Sequence, residues 1–178
     1  LDIVLDPAFA SNRFVYVTFA EPRSGGNGTS VARLRMNAGG TGFDQSSVIF
    51  RQQPSYNGGL HFGSRMVFDR TGALFVALGD RYDLRNEAQN PANTLGKIVR
   101  IATDGSIPPG NPDRKREGWL PAIWSIGHRN IQGAALHPVT GRLWTAEHGA
   151  RGGDEINIPE AGKNYGWPVI TYGVDYSG

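Results

Sequence analysis

The run Arg65-Met66-Val67-Phe68-Asp69-Arg70-Thr71-Gly72-Ala73-Leu74-Phe75-Val76-Ala77-Leu78-Gly79-Asp80 reads as two short apolar strands about a polar turn. Val, Phe and Leu suit a pleated surface, and Asp-Arg-Thr-Gly is turn chemistry. The same figure occurs twice more. Leu1-Asp2-Ile3-Val4-Leu5-Asp6-Pro7 leads to Asn12-Arg13-Phe14-Val15-Tyr16-Val17-Thr18-Phe19. Gly133-Ala134-Ala135-Leu136-His137-Pro138-Val139-Thr140-Gly141 leads to Arg142-Leu143-Trp144-Thr145-Ala146-Glu147. The turn positions Asp6, Asp69 and His137 lie 63 and 68 residues apart, a period long enough for a multi-stranded unit.

Each unit carries a further strand candidate: Ser30 to Met36, Lys97 to Ile101, and Glu155 to Ile158. Arg33 and Arg35, and Lys97 and Arg100, flank apolar residues as in strands with one wet face. No stretch has a sustained helical period, and Ala88 to Leu95 has room for one short turn. Three or four strands per unit of about 60 residues is a β-propeller blade with long loops. The competing architecture is a β-sandwich of about eight strands. Three units do not close a ring of about 4–8 blades, and both ends of the chain look cut, Tyr176-Ser177-Gly178 included. The chain is therefore expected to be all-β, residues 1–178 forming part of a single propeller domain.

The composition agrees. Apolar residues make up 39% and charged residues 19%, which places the chain among globular proteins. The 25 glycines and 11 prolines have no collagen-like period, so they mark turns between short strands. A net charge of +2 is too small to imply nucleic acid. The only basic run, Arg114-Lys115-Arg116, reads as a solvated loop. There is no cysteine, which excludes disulfides and thiolate metal sites. No apolar run approaches the roughly 20 residues of a membrane helix. Asp104-Gly105 reads as a hairpin turn. Trp119, Trp124, Trp144 and Trp167 read as core or interface residues.

Several polar residues fall on glycine-rich loops after the strands. His61 stands among Gly58, Gly59 and Gly63, and antiparallel pairing across Thr71-Gly72 brings Asp80 level with it. A carboxylate beside an imidazole is the arrangement of a general base, although a surface His near an unrelated Asp fits the spacing equally. Arg129 and Asn130 follow the strand Ala122 to Ile126; they suit the oxygens of a planar ligand or a contact with a neighbouring blade. His128 reads as structural. Gly149 to Glu155 ends in two carboxylates, Asp154 and Glu155, which suits a calcium site or a solvated acidic turn.

These motifs, with Leu5 to Ala10, Gly96-Lys97-Ile98-Val99-Arg100, Gly127-His128-Arg129-Asn130, Glu147-His148-Gly149, Asp154-Glu155-Ile156-Asn157 and Asn164-Tyr165-Gly166-Trp167-Pro168, form an ordered set. The set resembles the soluble pyrroloquinoline quinone (PQQ)-dependent aldose sugar dehydrogenases, which are six-bladed β-propellers. The resemblance implies about blades two to four of six, with the remaining blades as partners. It implies oxidation of an aldose at C1 to a lactone by hydride transfer to calcium-bound PQQ. His61 matches the catalytic base and Asp80 its supporting carboxylate. Arg129 and Asn130 match residues at the quinone oxygens, with Arg129 stabilising the charge that arrives with hydride. Gly149 and Ala150 match positions whose carbonyls hold the bridging calcium, though the family often has Pro in place of Ala150. Glu155 matches a ligand of a second, structural calcium, with Tyr165 giving a backbone carbonyl. Leu60 stands where glucose dehydrogenases proper often carry an acidic residue, which favours the broader aldose-dehydrogenase branch. The family's further Gln, Lys and Arg residues around the cofactor have no counterpart in this stretch. The resemblance also implies a periplasmic or secreted location and leaves the electron acceptor open. A non-catalytic calcium-binding propeller and a metal-dependent propeller lactonase are the alternatives.

Overall fold

The computed structural model describes residues 1–176, with every side chain except that of Arg116. Ser177 and Gly178, from the C-terminal end noted above, lie outside the described residues. Three antiparallel sheets follow one another along the chain. The first holds β1 (Asp2–Leu5), β2 (Phe14–Arg23), β3 (Gly26–Met36) and β4 (Phe43–Arg51) in sequence order. The second holds β5 (Gly63–Phe68), β6 (Leu74–Leu78), β7 (Lys97–Ile101) and β8 (Ile123–Ile126). The third holds β9 (Ile131–Leu136), β10 (Leu143–Glu147) and β11 (Glu155–Asn157). The first strands meet across the sheets: β1 packs on β5, and β5 on β9. Sheets joined through their first strands are the radial arrangement of a propeller, not the two facing layers of a sandwich.

Alternation explains the packing. In β6, Leu74, Val76 and Leu78 enter the cluster shared with the first sheet, which includes Tyr16 and Val31. Phe75 and Ala77 enter the cluster shared with the third sheet, with Ile131 and Leu143. Both faces of β6 are buried, so it reads as an unbroken apolar run. Polar ties fix the sheets laterally. Thr18 Oγ1 donates to Ser64 O at 2.9 Å, the amide of Met66 donates to Asp2 at 2.8 Å, and Arg65 Nε donates to Gln132 O at 2.7 Å.

The three repeated turn positions share one role. Asp6 accepts from the amide of Ala8 at 2.9 Å, Asp69 from the amide of Thr71 at 2.7 Å, and His137 Nδ1 from the amide of Thr140 at 3.2 Å. Each side chain closes the turn that starts at it.

Some expectations change. β4 is an additional strand, and its exposed, polar character hid it from the apolar pattern. Lys97 and Arg100 do not face water. β7 is buried on both faces, and Arg100 is held by Asp69 at 2.7 Å and by the carbonyl of Pro109 at 2.9 Å. Asp104-Gly105 makes a turn closed by Ala102 N to Ser106 O at 2.8 Å, but the strands on either side, β7 and β8, are joined through the whole of residues 102–122, so it is a local turn in a long connection and not a tight hairpin. The short turn lies at Arg85–Gln89, slightly before the expected span, and a single helical turn, α1, covers Phe9–Asn12. Arg114 is not simply solvated: it pairs with Glu117, donates to Gly162 O at 2.6 Å and sits 4.5 Å from the Trp119 ring. Trp144 is 40% exposed and stacks on His137, so it is not a core residue.

Candidate active site

The strand ends opposite those turns converge. β5 starts and β6 finishes there, and the amide of Gly79 donates to Phe62 O at 3.2 Å, drawing the two ends together. A Cβ on Gly79 would lie 1.9 Å from His61 O, so only glycine permits this approach. His61 Nδ1 consequently lies 2.7 Å from Asp80 Oδ1. Asp80 is fully buried, and its oxygens also accept from the amide of Tyr82 at 2.8 Å and from Trp167 Nε1 at 2.7 Å. With the carboxylate as acceptor throughout, His61 Nδ1 carries a proton and Nε2 is the free basic atom. Arg81 anchors the loop from beneath. It is buried, donates to Leu60 O at 2.9 Å and to the carbonyl of Asn27 at 3.2 Å, and lies 3.9 Å from the Phe62 ring. Burial lowers the proton affinity of this guanidinium.

Arg129 and Asn130 enter from the end of β8. The carboxylate of Glu147 accepts the Arg129 amide through one oxygen and His128 Nδ1 through the other at 3.0 Å. His128 is buried, bonded at Nε2 to Ser125 Oγ at 2.8 Å and stacked on Tyr165, so it is structural as expected. The Arg129 guanidinium reaches the neighbouring sheet, donating to His148 O at 3.0 Å. Its Nε is buried with no hydrogen-bond partner among the described residues, and its Cζ lies 5.2 Å from the Trp167 ring. A buried cation with an unused donor is suited to an anionic oxygen. Asn130 accepts through Oδ1 from the amide of Gly63 at 3.2 Å and from Gln132 at 2.9 Å. Its amide NH2 remains as the group to donate.

His61, Arg129, Asn130 and Gly149 line one cavity of about 560 Å³, with Leu60 and Tyr82. Gly149 is required where it stands, because a Cβ would meet Gly153 O at 1.8 Å. Its amide donates to Asp154 Oδ1 at 3.0 Å, and the Ala150 carbonyl accepts from Gly153 N at 2.8 Å. Glu155 and Tyr165 lie apart from this group. Glu155 lines a second cavity and accepts from Asn157 at 2.9 Å. The Tyr165 hydroxyl donates to Ile158 O at 2.8 Å. Among the described residues, no group of three or more His, Asp or Glu is placed to hold a metal ion. One carboxylate and one carbonyl fall short of the roughly six to eight oxygens calcium takes, so these residues alone do not make a structural calcium site.

Two residues of the site were not picked out from the sequence. Trp167 bridges Asp80 and Arg129, from 87 residues beyond Asp80. Tyr82 sets its ring edge-to-face with His61, 5.2 Å between centroids. The backbone supplies a signal that residue types do not. Among the described residues five non-glycine residues have positive φ, and four of them are His61 itself and, near the His61–Asp80 pair in sequence, Ser64, Arg81 and Tyr82. Such strain gathers at functional sites.

Three first-strand-joined sheets carrying a histidine–carboxylate pair and a buried arginine on their loops define a β-propeller protein with a polar loop site. The Glucose / Sorbosone dehydrogenase family model matches residues 1–178, and the chain belongs to that family. It is 46% identical over 179 residues to aldose sugar dehydrogenase YliI of Escherichia coli (strain K12), covering 100% of this chain and 48% of that protein. A crystal structure of glucose dehydrogenase superposes with a TM-score of 0.96 at 49% identity, over 100% of this chain and 51% of that one. The PQQ-bound form of aldose sugar dehydrogenase (Adh) from Streptomyces coelicolor superposes with a TM-score of 0.81 at 32% identity, over 96% of this chain and 48% of that one. The chain spans about half the length of these relatives. Among the described residues no helix is long and apolar enough to cross a membrane.

Proposed function

We propose that these residues form about three blades of a six-bladed PQQ-dependent aldose sugar dehydrogenase that oxidises aldoses at C1 to lactones. The observation that carries this reading is the His61–Asp80 contact of 2.7 Å, with His61 and Arg129 lining a single cavity. PQQ is a planar quinone with three carboxylates, and a buried guanidinium beside an amide donor suits such a group. When bound, it would supply the hydride acceptor. Arg129 and Asn130 would hold its quinone oxygens and offset the negative charge that develops there. His61 Nε2 would take the proton of the anomeric hydroxyl. Asp80 fixes the tautomer that leaves Nε2 free and stabilises the imidazolium that forms.

Calcium belongs to the same proposal. The carbonyls of Gly149 and Ala150 offer two oxygens, and the remaining ligands of a bridging ion would come from the cofactor and solvent. Glu155 and Tyr165 are the family's positions for a structural calcium, which would need donors beyond these two. A periplasmic or secreted location is proposed on family grounds alone.

The test is dye reduction by the complete chain with aldose, PQQ and calcium. His61→Ala should lower turnover by about 10²- to 10⁴-fold, the usual contribution of a general base, while PQQ is still bound. Equal loss of PQQ binding would make His61 a cofactor residue. Aldose oxidation absent from the unaltered complete chain, or lactone hydrolysis without quinone, would overturn the dehydrogenase reading.

A further inference from the structure

Tyr82 occupies a backbone conformation that its side chain does not favour. Its φ is 67°, and Arg81 before it has φ 64°, two consecutive non-glycine residues in the left-handed region. Glycine would relieve the strain at either position. Arg81 has an evident use, because its buried guanidinium pins the loop that carries His61. The Tyr82 amide also has one, donating to Asp80 Oδ1 at 2.8 Å, but any residue with an N–H could do that. The ring itself is 38% exposed and faces the cavity, in edge-to-face contact with His61. An aromatic kept half in solvent on a strained backbone does little for the core.

The cavity around His61 has a mixed lining. Leu60, 55% exposed, and Tyr82 give it apolar surface beside the base. Arg129, Asn130, His148 and Asp154 give it polar groups, and Tyr176 a second ring. A pyranose is mixed in the same sense, with a face of C–H bonds and a rim of hydroxyls. Aromatic rings pack against apolar surface and tolerate a wet edge.

We propose that Tyr82 is a substrate-contacting, specificity-determining residue, its ring forming the wall against which the C–H face of an aldopyranose lies when the sugar reaches His61. The inference rests on His61 being the base of an aldose-oxidising site. The ring carries the role, and the hydroxyl does not.

The experiment compares Tyr82→Phe and Tyr82→Gly in the complete chain. Five quantities are read: Kd for a bound aldose by calorimetry, KM and kcat with PQQ and calcium, PQQ uptake by absorbance titration, and the thermal midpoint without cofactor. Tyr82→Phe should stay within about twofold of the parent. Tyr82→Gly should weaken sugar binding and raise KM roughly tenfold, the scale of one lost aromatic contact. PQQ uptake should be unchanged. The thermal midpoint should hold or rise, because glycine relieves the positive φ. Unchanged Kd and KM would overturn the inference. Parallel loss of PQQ affinity would reassign the ring to the cofactor and also overturn it. A falling midpoint that tracks the loss of binding would mean a packing role, with the same result. Calorimetry needs no turnover, so sugar binding that depends on Tyr82 in a protein that oxidises no sugar would sink the base assignment and leave the aromatic wall standing.

Discussion

Trp167→Phe is the most informative perturbation of the site's framework. Phenylalanine keeps an aromatic ring near Ala88, Ala150 and the Arg129 guanidinium but removes the indole donor. Asp80 Oδ2 then loses its 2.7 Å hydrogen bond, while Oδ1 keeps the amide of Tyr82 and His61 Nδ1. Asp80 is fully buried and Trp167 is 9% exposed, so water has little access to replace the donor. A hydrogen bond to a charged group contributes about 1.5–3 kcal/mol, and the variant should lose stability on that order. The same chemical change at Trp144, 40% exposed, serves as the control and should stay within about 0.5 kcal/mol. Urea denaturation of the cofactor-free complete chain measures both. If Trp167→Phe loses no more stability than Trp144→Phe, the indole–carboxylate bond has no energetic weight, and the view of Asp80 as a carboxylate held from two sides is wrong.

Gly79→Ala should be disruptive out of proportion to one methyl group. Its Cβ would lie 1.9 Å from His61 O, a backbone atom that moves only if the ends of β5 and β6 separate. A loss of about 1–3 kcal/mol is expected by denaturation, with turnover lost through separation of His61 from Asp80. Lys97 gives a pH-dependent prediction. Burial pulls its ammonium down from 10.5 to about 7, although its Nζ donates to the carbonyls of Glu87, Ala88 and Leu95, which favour the charged form. Between those values the unfolded chain holds a proton that the fold has released. The Lys97 contribution to stability therefore rises with pH from about 7 towards 10.5 and is lowest below that window. Urea midpoints measured between about pH 6 and pH 10 should climb in the parent and lose that climb in Lys97→Met.

The fold was largely legible because its inner strands advertise themselves. β6 is apolar on both sides, β5 runs into it through Met66-Val67-Phe68, and their turn opens with a residue that bonds the backbone two positions on. β4 escaped for the opposite reason, since an exposed outer strand has no apolar stripe to read. Lys97 and Arg100 misled because charge in a strand usually means water, whereas here backbone carbonyls and Asp69 take water's place. Within the site, the meeting of His61 and Asp80 followed from hairpin symmetry, which converts sequence spacing into position. Trp167 could not be placed that way, because its approach to Asp80 depends on how the third unit returns over the second. Tyr82 was invisible because a positive φ at tyrosine leaves no trace in composition.

The acceptor turns at Asp6, Asp69 and His137 close one end of the sheets, while His61, Asp80, Arg129 and Gly149 occupy the other. The two ends answer to different demands. At the turn end each closing bond lies within its own unit, and the one tie to a neighbouring turn is a single side chain, Arg70, which donates to the carbonyls of Pro138 and Val139. At the cavity end the His61–Asp80 pair lies within one unit, but several other contacts cross between units: Asp80 with Trp167, Arg129 with His148, Gly63 with Asn130. A graft that transplanted one unit whole would carry its turn intact and arrive with its half of each of those crossing contacts unmatched. An engineer shuffling blades in this family should therefore cut the chain so that the cavity loops travel together, even at the expense of splitting a sheet.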